Sequence, residues 1–215
     1  MKKHLFSSAL LAAFILASAS AAFAQYKLET AGAVPPGLAS GFASLFQPQG
    51  SKILNADGSV FCEVWFRTTP PTGGKTTEDA VDFPSFPQGA LIGVIHFPST
   101  GADRRGQTIK PGLYTLRYSM YPVNGDHQGV SPNRDFVLLV PASEDKDPNA
   151  TPNFDALVAM SRKASGTPHP AVLSIFKSSA ESFPSLTQAG EKDWVLNVKV
   201  GDVPMSLIVV GKAEA

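Results

Sequence analysis

The sequence has a single cysteine, no excess of either charge and no apolar run long enough for a permanent membrane span. One cysteine cannot close an internal disulfide, so packing must stabilise the fold. The 18 basic and 18 acidic residues balance, which leaves no electrostatic sign of binding to nucleic acid or to an anionic membrane. Cys62 alternates with Val60, Val64 and Phe66, and we therefore predict that its thiol is buried.

The first 24 residues have the layout of a secretory signal peptide. Two lysines precede an apolar run over residues 5–15, and Ala22-Phe23-Ala24 forms a small-x-small cleavage site. The run is shorter than the roughly 20 apolar residues that a membrane span needs. We expect cleavage between Ala24 and Gln25, a periplasmic or secreted mature protein, and no transmembrane segment within it.

Short apolar segments separated by turns predict a mainly β fold. Proline and glycine, 18 of each, punctuate these segments, and no β-helix-β rhythm occurs. We therefore predict an antiparallel β-sandwich with two short peripheral helices. Residues 51–215 form the sandwich domain in this interpretation, and residues 25–50 form an N-terminal extension that contains the first helix.

The two helices are predicted from apolar spacing and from caps. Leu38, Phe42, Leu45 and Phe46 share one helical face. A second apolar stripe follows Thr151-Pro152, which offers an N-cap with proline at the first helical position, and this helix is expected to end near Gly166.

The strands are predicted from alternation and from turns. Asp57-Gly58 is a hairpin turn between two apolar runs, and residues 68–89 are rich in proline, threonine and glycine, which predicts a long loop. Tyr114, Leu116, Tyr118 and Met120 alternate along residues 113–121 and are expected to face the core. Gly201-Asp202 predicts a tight hairpin, and Pro204 suggests an edge position for the strand that follows.

Three segments resemble an uncharacterised family of exported bacterial β-sandwich proteins of unknown function. They read DGSVFCEVWF over residues 57–66, KPGLYTLRY over 110–118 and GVSPNRDF over 129–136. The resemblance implies an exported β-sandwich and implies no activity.

Two predicted strands suggest a ligand-binding face. The sides opposite Cys62 on the first strand and opposite the core set on the second carry aromatic and charged side chains, namely Phe61, Glu63, Trp65, Arg67, Arg117 and Tyr121. Aromatic rings stack on sugars or organic ligands while charged groups fix their orientation. The alternative is that a helix or loop covers this face. The candidate ligand-binding set is Glu63, Trp65, Arg117, Tyr121, Asp126, His127 and Arg134.

Three histidines suggest a second kind of site. His96, His127 and His169 could together bind zinc or copper, with Asp126 as a further ligand. Their spacing matches no short metal motif, so a metal site depends on the fold bringing them together.

These patterns favour an exported, non-catalytic domain that binds a small molecule, a glycan or a protein, with no cofactor and no nucleic-acid partner. Two alternatives stay open: a metal-dependent enzyme that uses the three histidines, and an envelope-associated structural or assembly protein.

Overall fold

The computed structural model describes residues 25–121 and 133–213. Within these residues the chain forms twelve strands, one α-helix and one single 3-10 turn. The strands are β1 Lys27–Ala31, β2 Gly50–Leu54, β3 Val60–Phe66, β4 Leu91–Phe97, β5 Gly101–Ala102, β6 Thr108–Ile109, β7 Gly112–Met120, β8 Asp135–Pro141, β9 Val172–Lys177, β10 Ser185–Ala189, β11 Asp193–Val200 and β12 Val203–Val210. The α-helix, α1, spans Phe154–Ser165, and the 3-10 turn spans Ala43–Leu45.

Ten of the strands form a single antiparallel sheet, in the order β1-β2-β3-β4-β7-β8-β9-β12-β11-β10. The sheet curls until its two ends approach one another. Tyr26, just before β1, packs edge-on against Trp194 of β11 with 5.6 Å between ring centroids. The mainly β, antiparallel character predicted from the sequence is therefore confirmed. Strand β1 lies in the residue range expected to precede the domain, and it pairs with β2 in the same sheet.

The concave side of the curled sheet contains the main apolar core. Tyr114, Leu116 and Tyr118 of β7 point into it, as their alternation predicted. Cys62 lies there too, fully buried as a free thiol. Burial raises the pKa of this thiol far above its ordinary value, which keeps it protonated and unreactive.

Two segments cover the convex side. The stretch between β1 and β2 places Phe42 and Phe46 over β3 and β4. Helix α1 places Leu157 over β8 and β9, against Leu138 and Val172. The convex side near these strands is therefore an interior surface of the protein.

Only the second of the two predicted helices is an α-helix. Its cap is Asn153, whose Oδ1 accepts a hydrogen bond from the Ala156 backbone N–H at 3.0 Å, so the predicted cap at Thr151-Pro152 is wrong by two residues. The helix does end at Gly166. The first helix is reduced to the 3-10 turn, because Gly37 and Gly41 have φ angles of 125° and 86°, which no right-handed helix contains.

The loop over residues 68–89 is held by a buried carboxylate. Asp135 accepts hydrogen bonds from the Asp82 and Phe83 backbone N–H groups and from the Tyr118 hydroxyl. The edge position suggested by Pro204 is wrong, since β12 lies between β9 and β11. Proline is tolerated because the pairing with β9 begins only at the next residue. Across the described residues, no helix has the length and apolar character required to cross a membrane.

Candidate functional site

The predicted face lies on three neighbouring strands, β3, β4 and β7. Trp65 of β3 pairs with Val94 of β4, and Leu91 of β4 pairs with Arg117 of β7. The fold therefore brings Trp65, Arg67 and Arg117 to one side of one sheet, and the segments packed over this side determine how each is used. Phe61 departs from the predicted face: the β2–β3 register shifts beside it, and its ring packs on the main core against Phe97.

Trp65 is buried beneath the N-terminal segment. Its indole is 1% exposed and its Nε1–H donates a 2.7 Å hydrogen bond to the Gly32 carbonyl. Gly50 packs so closely against the indole that a Cβ atom there would lie 2.6 Å from Nε1. The ring thus anchors the N-terminal segment to the sheet.

Arg117 is also completely buried. Its Nε and one terminal nitrogen donate to the two carboxylate oxygens of Asp145, at 2.8 and 2.7 Å. Its remaining N–H groups donate to the carbonyls of Gly89, Asp147 and Ala150, so all five guanidinium donors are used. The side chain ties residues 145–150 and the end of the long loop to the sheet.

Arg67 lies on the same face and has no such partner. Its Nε donates to the Thr69 carbonyl at 3.2 Å, and no carboxylate in the described residues forms an ion pair with it. Desolvation and repulsion by the neighbouring Arg117 guanidinium lower the pKa of Arg67. Asp145 neutralises Arg117 alone, so the charge of Arg67 remains as an excess positive charge at this point.

A cavity of about 570 Å³ opens over Arg67. We call it the Arg67 cleft. Its walls are two loops, represented by Pro70 and Pro71 on one side and Pro148 and Asn149 on the other, and none of the described residues that line it is an aspartate or glutamate. Prolines restrict the backbone of both walls, and the half-buried Arg67 guanidinium lies between them.

Glu63 and His96 form a pair across β3 and β4. The carboxylate Oε2 lies 3.1 Å from His96 Nδ1. Lys52 lies opposite Glu63 on β2 and pairs with Glu29 at 2.7 Å. The row of four alternating polar side chains supports the sheet across four strands.

Tyr121 and Arg134 lie at the far end of the face. The Tyr121 ring stacks on Phe136 with 4.5 Å between centroids, and burial raises the pKa of its hydroxyl. Arg134 donates to the Tyr121 carbonyl and forms an ion pair with Glu78. Asp126 and His127 lie outside the described residues, and so do the parts of the ligand-binding set and of the three-histidine metal site that depend on them. Among the described residues no group of three metal-binding side chains occurs.

Strand alternation placed Arg67 on the predicted face but did not indicate that its side chain is accessible to a ligand while Trp65 and Arg117 are buried. The only sequence signal was its place at the end of β3, directly before Thr68-Thr69-Pro70-Pro71, where the chain leaves the sheet. The opposite wall of the cleft comes from residues about 80 positions away, which strand alternation does not address.

Comparison with models of protein families, with curated proteins and with solved structures finds no match to this chain.

Proposed function

We propose that the protein is a non-catalytic binding module for a small organic carboxylate, held in the Arg67 cleft. The excess positive charge at Arg67 carries the proposal. A half-buried guanidinium without a neutralising partner is energetically unfavourable, and an anion in the cleft relieves both the desolvation and the repulsion from Arg117. Arginine also suits carboxylates, because its planar donors form paired hydrogen bonds to both oxygens.

The walls define the rest of the ligand. Proline rings and Leu91 offer apolar contact, while Thr69, Thr72 and Asn149 offer hydroxyl and amide groups. The volume lies within the usual 300–1,000 Å³ range of small-molecule sites. These features favour a compact ligand with one acid group and an apolar or weakly polar body.

Calorimetric titration with benzoate tests the proposal, with neutral benzamide as the matched probe. We expect benzoate to bind, and Arg67→Gln to weaken it about tenfold or more, because a charge-assisted contact is lost. Lys110→Gln removes a positive charge from an exposed turn elsewhere and leaves binding unchanged. Equal affinity in the two variants, or equal binding of both probes by the wild type, contradicts the proposal.

The signal peptide also belongs to the proposal. Lys2, Lys3 and the small-x-small site before Gln25 support export to the periplasm or the medium. Mass spectrometry of the protein recovered from a periplasmic extract tests this. The mass of a chain that starts at Gln25 supports export, and a full-length chain found in the cytoplasmic fraction opposes it.

We also propose that the two halves of the curled sheet pack on one another as a β-sandwich, the architecture predicted from the sequence. The shared core of β2–β4 with β9, β11 and β12 supports it. A crystal structure tests it, since the two halves of a sandwich face one another about 10 Å apart.

A further inference from the structure

A second concave surface lies beside helix α1. We propose that it is an independent binding site for an aromatic phosphate or an aromatic anion of similar shape. The cavity of about 610 Å³ lies between α1, the turn that carries Arg105 and the loop at His169. We call it the α1 site.

The lining of the α1 site carries a net positive charge. Arg105 and Arg162 both line it, and neither forms an ion pair with a carboxylate of the described residues. Asp155 is the one acid among the described residues of the lining, and His169 adds a ring whose N–H is available to an anion. Two guanidinium groups around one cavity favour a phosphate, which accepts from several donors at once.

The floor of the α1 site is apolar. Phe154 and Val158 lie one turn apart on α1, half-buried, and both line the cavity. Beneath them they pack on the core cluster that contains the stacked Tyr121 and Phe136 rings. A rigid floor next to cationic walls suits a ligand whose aromatic ring lies on Phe154 while its acid group reaches the arginines.

The walls of the α1 site are already fixed by buried hydrogen bonds. Asp103, 1% exposed, accepts from the backbone N–H groups of Arg105, Gln107 and Val172. The Gln107 amide donates to Asp103 and to the Pro170 carbonyl, at 2.7 and 2.9 Å. The Arg105 turn and the His169 loop are therefore joined to each other without a ligand.

The end of α1 is joined to the same loop. Ser161 Oγ donates to the Ala171 carbonyl and accepts from the Ala171 backbone N–H, and Ser165 Oγ donates to the His169 carbonyl at 2.6 Å. The backbone of all three walls is held in place before binding, so the ordering cost of ligand entry falls on the binding side chains rather than on the walls.

The α1 site and the Arg67 cleft share no lining residue. Each can therefore be removed without touching the other, and the α1 site does not depend on the function proposed for the cleft. All titrations below use the Arg67→Gln background, in which the cleft has lost its cation.

Calorimetric titration with 1-naphthyl phosphate tests the α1 site, with inorganic phosphate as the probe for the acid group alone. We expect Arg105→Gln and Arg162→Gln each to weaken 1-naphthyl phosphate about tenfold or more. Lys163→Gln is the matched control, because Lys163 is the next residue on α1 but pairs with Glu144 outside the cavity. It leaves the affinity unchanged.

Two further variants give effects that loss of structure does not produce. Asp155→Asn removes the one negative charge of the lining and tightens binding. Phe154→Ala weakens 1-naphthyl phosphate while inorganic phosphate binds as before. Absence of 1-naphthyl phosphate binding, or the same affinity in both arginine variants and the Lys163 control, overturns the proposal.

Discussion

Arg67 and Arg117 are the same residue type on the same face of one sheet, yet their surroundings differ. Arg117 uses all five donors on a carboxylate and three carbonyls and is excluded from water. Arg67 has one hydrogen bond to a carbonyl and lies beneath an open cavity. The comparison shows that a charge on a sheet face stabilises the fold where a loop brings it a counterion. Where no counterion arrives, the charge is available to a ligand.

The largest expected effect comes from replacing each arginine by alanine. Arg117→Ala leaves the buried Asp145 carboxylate with the Thr115 hydroxyl but without a counterion, and is expected to lower the free energy of unfolding by about 3–5 kcal/mol. Arg67→Ala removes an unneutralised charge and is expected to change it by less than about 0.5 kcal/mol. Urea unfolding of the two variants measures the difference. Similar losses in both would break the comparison between them.

A smaller effect is expected at Trp65, which shares the buried part of the face with Arg117. Trp65→Phe keeps a ring but removes the hydrogen bond to Gly32, so we expect a loss of about 1–3 kcal/mol. Trp194→Phe is the control, because that indole is half-buried and no indole hydrogen bond is part of its described contacts. Thermal unfolding at several urea concentrations compares them. An equal loss at both positions would show that Trp65 acts through ring volume alone.

The smallest expected effect is a pH dependence of stability that comes from Asp135, a buried carboxyl group. Burial raises the pKa of Asp135 despite hydrogen bonds from Asp82, Phe83 and Tyr118, so the folded state holds that proton more tightly than the unfolded chain. The contribution of Asp135 to stability is therefore present at low pH and is lost as pH rises above about 3.9.

Urea unfolding of wild type and Asp135→Asn between pH 3 and 7 measures that loss. The wild-type advantage over the variant is expected to fall as pH rises. Asp57 provides a control of opposite sign, since hydrogen bonds from Ser59 lower its pKa, and the wild-type advantage over Asp57→Asn is expected to rise with pH. Parallel curves for the two pairs would contradict the assignment.

The long inner strands were predictable from local pattern. Along β3 and β7 one side faces the main apolar core and the other carries mostly polar or aromatic side chains, so apolar core residues recur at every second position. The same argument could not find β10, whose residues Ser185–Ala189 are mostly exposed. Short polar edge strands leave no apolar alternation, because neither side needs to be buried. The prediction of the first helix was wrong although its apolar residues do pack on the sheet. They do so from a 3-10 turn and extended chain, which the apolar spacing alone does not distinguish from an α-helix.

The candidate site was predictable only in part. Alternation placed Glu63, Trp65, Arg67 and Arg117 on one side of the sheet, and β3, β4 and β7 do lie side by side. Which of these side chains is exposed depends on segments that are distant in sequence. The segment around Phe42 covers Trp65, and the segment around Asp145 covers Arg117. Strand periodicity contains no information about such coverage.

The sequence by itself determined the strand-rich class, the inward side of the long strands, the burial of Cys62 and the end of α1. These depend on contacts within a strand or a helical turn, where one residue's environment repeats at a fixed spacing. Only the tertiary structure decided that Arg117 is neutralised while Arg67 is not, and that Arg105 and Arg162 face the same cavity. Burial and charge pairing at these positions arise from residues far apart along the chain, and only the folded arrangement of loops sets their distances.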